Sequence, residues 1–171
     1  MKLGLAVLAF SLVLSGGACA DPRHRPDLDF MAPRIGQSER LAPKSFKPSR
    51  GCTDPKSFED CVYENGRGVT YVGGEDRKLV SKSISRKGGR FLEKLPFGLT
   101  GAEHEGQVRA IMRKRGVALD LSTGQGVREL SSGGFDNGVP GPDGPTPFYL
   151  VFQFDAAGRL RLVSVALFDT L

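Results

Sequence analysis

The sequence predicts an α+β fold: an antiparallel sheet with one or two helices packed on one face and one structural disulfide. Three observations carry this reading. Phe148 to Phe154 alternates aromatic and aliphatic residues with period two, turns at Asp155 to Gly158 and returns from Leu160 to Phe168, the pattern of a β-hairpin. Cys61 to Ser85 holds three short strand patterns divided by glycine-rich turns. Between these regions, Thr100 to Gly116 has helical spacing and helix-end residues.

Taken in order, residues 1–20 read as an export signal. Lys2 is followed by the apolar run Leu3 to Leu14 and by Ala18-Cys19-Ala20, the small-x-small pattern of a cleavage site. The run is too short to span a bilayer. Cys19 leaves a second reading open, acylation as an outer-membrane lipoprotein; cleavage after Ala20 places the protein in the periplasm or outside the cell. Without the signal, 151 residues remain, enough for one domain, and loss of Lys2 takes the formal charge from +5 to +4. That mild basicity suits an anionic partner and gives no reason to expect nucleic acid.

Residues 21–50 contain five prolines, seven basic and four acidic residues, and no strand or helix period survives them; they read as a flexible tail. The domain is expected to span 51–171. Cys52 and Cys61, the two cysteines left after cleavage, are expected to form a disulfide in an oxidising compartment. In the entropic account so small a ring stabilises by roughly 2–3 kcal/mol. A redox pair would need C-x-x-C spacing, and His24 and His104 are not spaced with the cysteines as metal ligands.

Residues 51–94 read as a disulfide-stapled meander: Cys61 to Glu64, a turn at Asn65-Gly66, Gly68 to Val72, then Lys78 to Ser85. Residues 77–94 carry seven basic side chains and one acid, Glu93. This is either a solvated edge strand and loop or a contact surface for an anionic partner, with Arg86, Lys87 and Arg90 as the contact residues. Thr100 and Glu103 fit a capping box, Val108, Ile111 and Met112 the buried stripe, and Gly116 the C-terminal stop. His104 reads as a solvent-facing helix residue. Val117 to Leu121 and Val127 to Leu130 are weaker strands. Residues 131–147 hold five glycines and four prolines and read as a long loop, either an insertion or a binding loop with Phe135 as its anchor.

Residues 95–168 resemble the BamE-like (SmpA/OmlA) domains. Gly98-Leu99-Thr100 stands where that family has a Gly-x-Thr turn before a helix carrying Gln-Val, here Gln107-Val108. Phe152-Gln153-Phe154-Asp155 through Gly158 to Leu160 matches its closing hairpin. The β-lactamase-inhibitor proteins share the architecture as a tandem repeat. The resemblance implies protein-binding work as an assembly or inhibitor module, not catalysis.

The residues themselves point the same way. Asp120, Glu129, Asp136 and Asp143 do not form a recognisable pair for a cell-wall hydrolase, and no nucleophile–histidine arrangement is readable. Gly133-Gly134 with Gly138 lacks the lysine and helix start of a phosphate loop, so no cofactor is expected. The expected function is that of an exported, non-catalytic module binding a protein of the cell envelope, an inhibitor or immunity-type protein. The alternative is an envelope-assembly or structural lipoprotein, with contact to an anionic membrane or lipopolysaccharide.

Overall fold

The computed structural model describes residues 25–50, 61–74, 76–124, 127–141 and 144–167. The signal region, Cys19, Cys52 and Asp143 lie outside the described residues. Among the described residues, nine strands form one antiparallel sheet with one α-helix and three short 3-10 turns: β1 (Lys47–Arg50), β2 (Cys61–Glu64), β3 (Val69–Gly73), β4 (Leu79–Ser85), α1 (Glu105–Lys114), β5 (Leu119–Gly124), β6 (Val127–Ser132), β7 (Phe135–Gly141), β8 (Gly144–Phe154) and β9 (Leu160–Ala166). The order is β1-β2-β3-β4-β9-β8-β6-β5, with β7 on β8. Two four-stranded meanders thus meet where their last strands, β4 and β9, pair at Ser83 and Ser164.

The expected closing hairpin is β8–β9, and Phe148, Leu150, Phe152 and Phe154 are all buried on one face. Val163 and Val165 of β9, Ile84 of β4, Tyr71 of β3 and Leu130 of β6 continue that face into one apolar core. α1 lies against it through Val108 and Met112, both fully buried. Its C-terminus closes as expected: Gly116 at φ 74° donates to Arg113 O and Val117 N to Met112 O. Its start is later than the sequence predicts. His104 is the N-cap, and its N–H donates to Gln107 Oε1 at 2.9 Å. Thr100 and Glu103 do interact, but they close the preceding turn: the Glu103 carboxylate accepts from the N–H and hydroxyl of Thr100 and from Gly101 N, each at 2.8 Å. The chain cannot begin a helix at Thr100 because Gly101 has φ 90°.

Three further expectations are corrected. Residues 25–50 are not a flexible tail: they form a strap along the core face and end in β1. Leu28 and Ile35 of the strap are fully buried, and prolines set its irregular path without preventing its burial. β4 is not a solvated edge strand, because β3 and β9 flank it. Nor is 131–147 a structureless loop: Phe135 and Asp136 pair with Phe148 and Pro147, and Pro140 with Pro145, across an irregular register. Prolines are tolerated there because the pair lies on the rim of the sheet. The Asn65-Gly66 turn also differs in detail. Asn65 Oδ1 accepts from Arg67 N at 2.8 Å and Val69 N at 3.0 Å, so the side chain builds the loop, and Gly68 at φ 94° passes under Ser85 O, where a Cβ would come within 2.4 Å.

Candidate functional site

The two faces of the sheet differ in chemistry. One is the phenylalanine- and leucine-rich core. The other carries a row running from Glu64 on β2 through Thr70, Ser83, Ser164, Val151 and Ser131 to Asp120 on β5. The neighbouring row holds Ser85, Leu162, Gln153, Glu129 and Ser122. Alternation places these side chains opposite the core, and on the central strands β3, β4 and β9 most are short and uncharged. Ser81, Ser83, Glu129, Val151, Gln153, Leu162, Ser164 and Ala166 line a shallow depression of about 240 Å³. Ser164 Oγ donates to Lys82 O at 2.9 Å and Gln153 Nε2 to Glu129 Oε2 at 3.0 Å, which fixes the relief of the surface.

The basic stretch 77–94 divides into internal and external members. Lys82 is fully buried on the core side. Its Nζ donates to Asp29 Oδ1, to Met31 O at 2.6 Å and to Pro33 O at 2.9 Å; Asp29 Oδ2 accepts from Ile35 N at 2.9 Å. Burial lowers the Lys82 pKa and the Asp29 carboxylate opposes that shift. Lys82 therefore pins the strap and takes no part in a surface. A sequence signal existed: Lys82 shares its parity with Val80 and Ile84, opposite Ser81, Ser83 and Ser85.

Arg86 is also engaged internally. Its guanidinium donates to Gly101 O at 2.5 Å, approaches Asp155 Oδ2 at 3.5 Å and lies 5.6 Å from the centre of the Phe91 ring. It joins the turn before α1 to the β8–β9 turn. There the backbone N–H of Arg159 holds the Asp155 carboxyl below its ordinary range, with the Arg159 charge and Ala157 N–H adding to the effect. Lys87 and Arg90 are different: both are exposed on a tight turn whose Gly88 and Gly89 have φ 60° and 81°. The expected trio thus reduces to Lys87 and Arg90 at the surface.

Phe135 is half-buried at the start of β7, its ring 5.8 Å from Phe148, so it belongs to the packed rim and is not a free anchor. His104 is exposed as expected, and its Nδ1 lies 3.1 Å from Gly158 O. Asp120 and Glu129 share the open face on adjacent strands, whereas Asp136 lies on β7 and accepts from Gly138 N at 2.7 Å. Among the described residues no group of three His, Cys, Asp or Glu side chains is placed to hold a metal ion, and no helix is long and apolar enough to cross a membrane. Cys61 is buried at the head of β2. Compared with protein-family models, curated proteins and solved structures, the chain matches none.

Proposed function

We propose that this protein is an exported, non-catalytic module that docks a protein partner on the open face of its sheet, in the manner of an inhibitor or immunity-type protein. The hydroxyl-bearing row Thr70–Ser83–Ser164–Val151–Ser131 carries this reading. It crosses five strands, so its backbone is rigid, and its side chains have little rotamer entropy to lose on binding. Val151 and Ser164 are buried at its centre, with Ser164 Oγ held by Lys82 O, so a partner would pair its own polar groups with the half-exposed hydroxyls of Thr70, Ser83 and Ser131. Lys87 and Arg90 stand apart as an exposed basic pair that would steer an acidic partner or an anionic membrane toward the domain. The BamE-like resemblance of residues 95–168 adds the assembly or inhibitor class. Export rests on residues 1–20, and we assign the stabilising disulfide to Cys52 and Cys61.

Site-specific photo-crosslinking in the native envelope tests the reading. A crosslinker at Ser83 is expected to trap one protein partner, one at Lys87 to trap the same partner at lower yield, and one at Ala110 on the exposed side of α1 to trap none. Adducts from Ala110 alone, or the same scatter of proteins from all three positions, would overturn the open face as the docking surface. Lipid adducts from Lys87 without a protein adduct from Ser83 would favour the envelope-lipoprotein reading and direct attention to Cys19.

A further inference from the structure

The rims of the sheet are defended unequally. β1 presents Lys47, Pro48 and Arg50 with a register break between Pro48 and Arg50. β7 carries Pro140, and Asp136 O accepts from Arg25 N at 3.2 Å. β5 contains no lysine, arginine or proline. An edge strand without such residues offers its unpaired N–H and C=O groups to another strand.

The groups that β5 leaves open follow from the ladder. Leu167 N donates to Val80 O and Arg86 N to Arg161 O, so the odd-numbered residues of β9 bond to β4 and the even-numbered to β8. Carried across β8 and β6, where Leu150 N meets Ser132 Oγ, the alternation turns Asp120 and Ser122 toward β6 and Leu119, Leu121 and Thr123 outward. Arg109 Nη1 occupies Leu119 O at 2.6 Å. Leu121 keeps its outward N–H and C=O, and its side chain is 45% exposed at the end of the apolar row Ile84–Val163–Phe152–Leu130.

We propose that β5 pairs antiparallel with β5 of a second copy about a two-fold axis at Leu121, joining two sheets into one. The strand is complementary to itself in this register. Leu121 meets Leu121 of the second copy and exchanges two backbone hydrogen bonds with it, and both side chains leave water. Asp120 faces Ser122 of the second copy, so a hydroxyl meets each carboxylate and no like charges oppose. This interface lies at the rim and does not depend on the open face being a docking surface.

Sedimentation equilibrium and amide exchange on the purified protein test the proposal. The protein is expected to dimerise, with protection of the Leu121 amide rising with concentration. Leu121→Lys is expected to abolish the dimer, and with it the rise of Tm with concentration, while leaving the Tm of the dilute monomer unchanged. Leu121→Pro removes only an outward N–H, no bond to β6, and is expected to do the same. A monomer at every concentration with a fast-exchanging Leu121 amide overturns the pairing, as does a dimer that survives both substitutions. A monomer whose Leu121 amide becomes protected only in envelope extract also overturns it, and assigns the edge to a strand of another protein.

Discussion

One core face is covered in two ways. Over β5 and β6 the cover is α1, which bonds its own backbone internally and adheres through Val108 and Met112, with Arg109 reaching Leu119 O at the edge of the sheet. Over β3 and β4 it is the strap 25–46, whose regular backbone pairing is confined to two short 3-10 turns, Pro26–Leu28 and Glu39–Leu41, and a bridge from Ser38 to Lys78, and which leaves the carbonyls of Met31, Ala32 and Pro33 pointing at the core. The sheet must then supply donors from its apolar side. Lys82 bonds Met31 O and Pro33 O, and Tyr71 OH bonds Ala32 O at 2.8 Å. An irregular cover therefore requires polar donors such as Lys82 to be fully buried beneath it, whereas the helical cover satisfies its own carbonyls and meets the sheet's polar groups only at the edge.

The largest expected effect comes from breaking the polar side of this comparison. Lys82→Ala leaves the Asp29 carboxylate buried without its cation and is expected to cost about 3–5 kcal/mol, with amide exchange accelerated first in residues 28–36. An apolar double replacement, Lys82→Met with Asp29→Leu, is expected not to recover wild-type stability, because Met31 O and Pro33 O still lack a donor; full recovery in denaturant melts would show that the ion pair alone mattered. On the helical side, Met112→Ala is expected to cost about 2–4 kcal/mol through a cavity, loosening α1 before the strap.

Smaller changes sharpen the contrast. Tyr71→Phe removes a single donor to Ala32 O and is expected to cost about 1–2 kcal/mol, read as a lower Tm with local exchange confined to the strap. Glu103 gives the smallest effect, expressed in pH. Burial alone would raise its pKa, but the hydrogen bonds from Thr100 and Gly101 outweigh it and hold the value below the ordinary carboxylate range. The folded state thus favours the ionised form. This stabilisation is present above the ordinary carboxylate pKa and lost as pH falls through the lowered value. Glu103→Gln is expected to flatten the acid limb of the stability curve while leaving the strap unaffected.

What was legible in the sequence follows from the same contrast. The helix stripe, its glycine stop and the phenylalanine alternation of β8 are periodic, and period is the signal that sequence displays most openly. The strap was hidden because prolines erase period, although Leu28, Phe30 and Ile35 supplied its apolar anchors. Lys82 was hidden because a lysine in a basic stretch normally lies in water; its carboxylate partner is 53 residues distant and no local pattern links them. The hydroxyl face was visible on β4 as Ser81, Ser83 and Ser85, but its continuity through Ser164 and Ser131 required the strand order. β7 was hidden by glycines and prolines that a rim strand tolerates. Of the basic candidates, Lys87 and Arg90 remained at the surface, whereas Arg86 found partners that only the folded chain brings within reach.

The strap is the first part of the described chain to be synthesised, yet nearly everything it leans on comes later. Arg25 waits for Arg115, 90 residues downstream, and Asp29 for Lys82. The floor beneath them is complete only when β9, last among the described strands, pairs with β4. Contacts so distant along the chain form slowly, because loop-closure entropy is lost before they contribute. The segment made first is therefore expected to settle late: Leu28, Phe30 and Ile35 gain a surface only once β3 and β4 have paired, and that surface is flanked on both sides only when β9 joins β4.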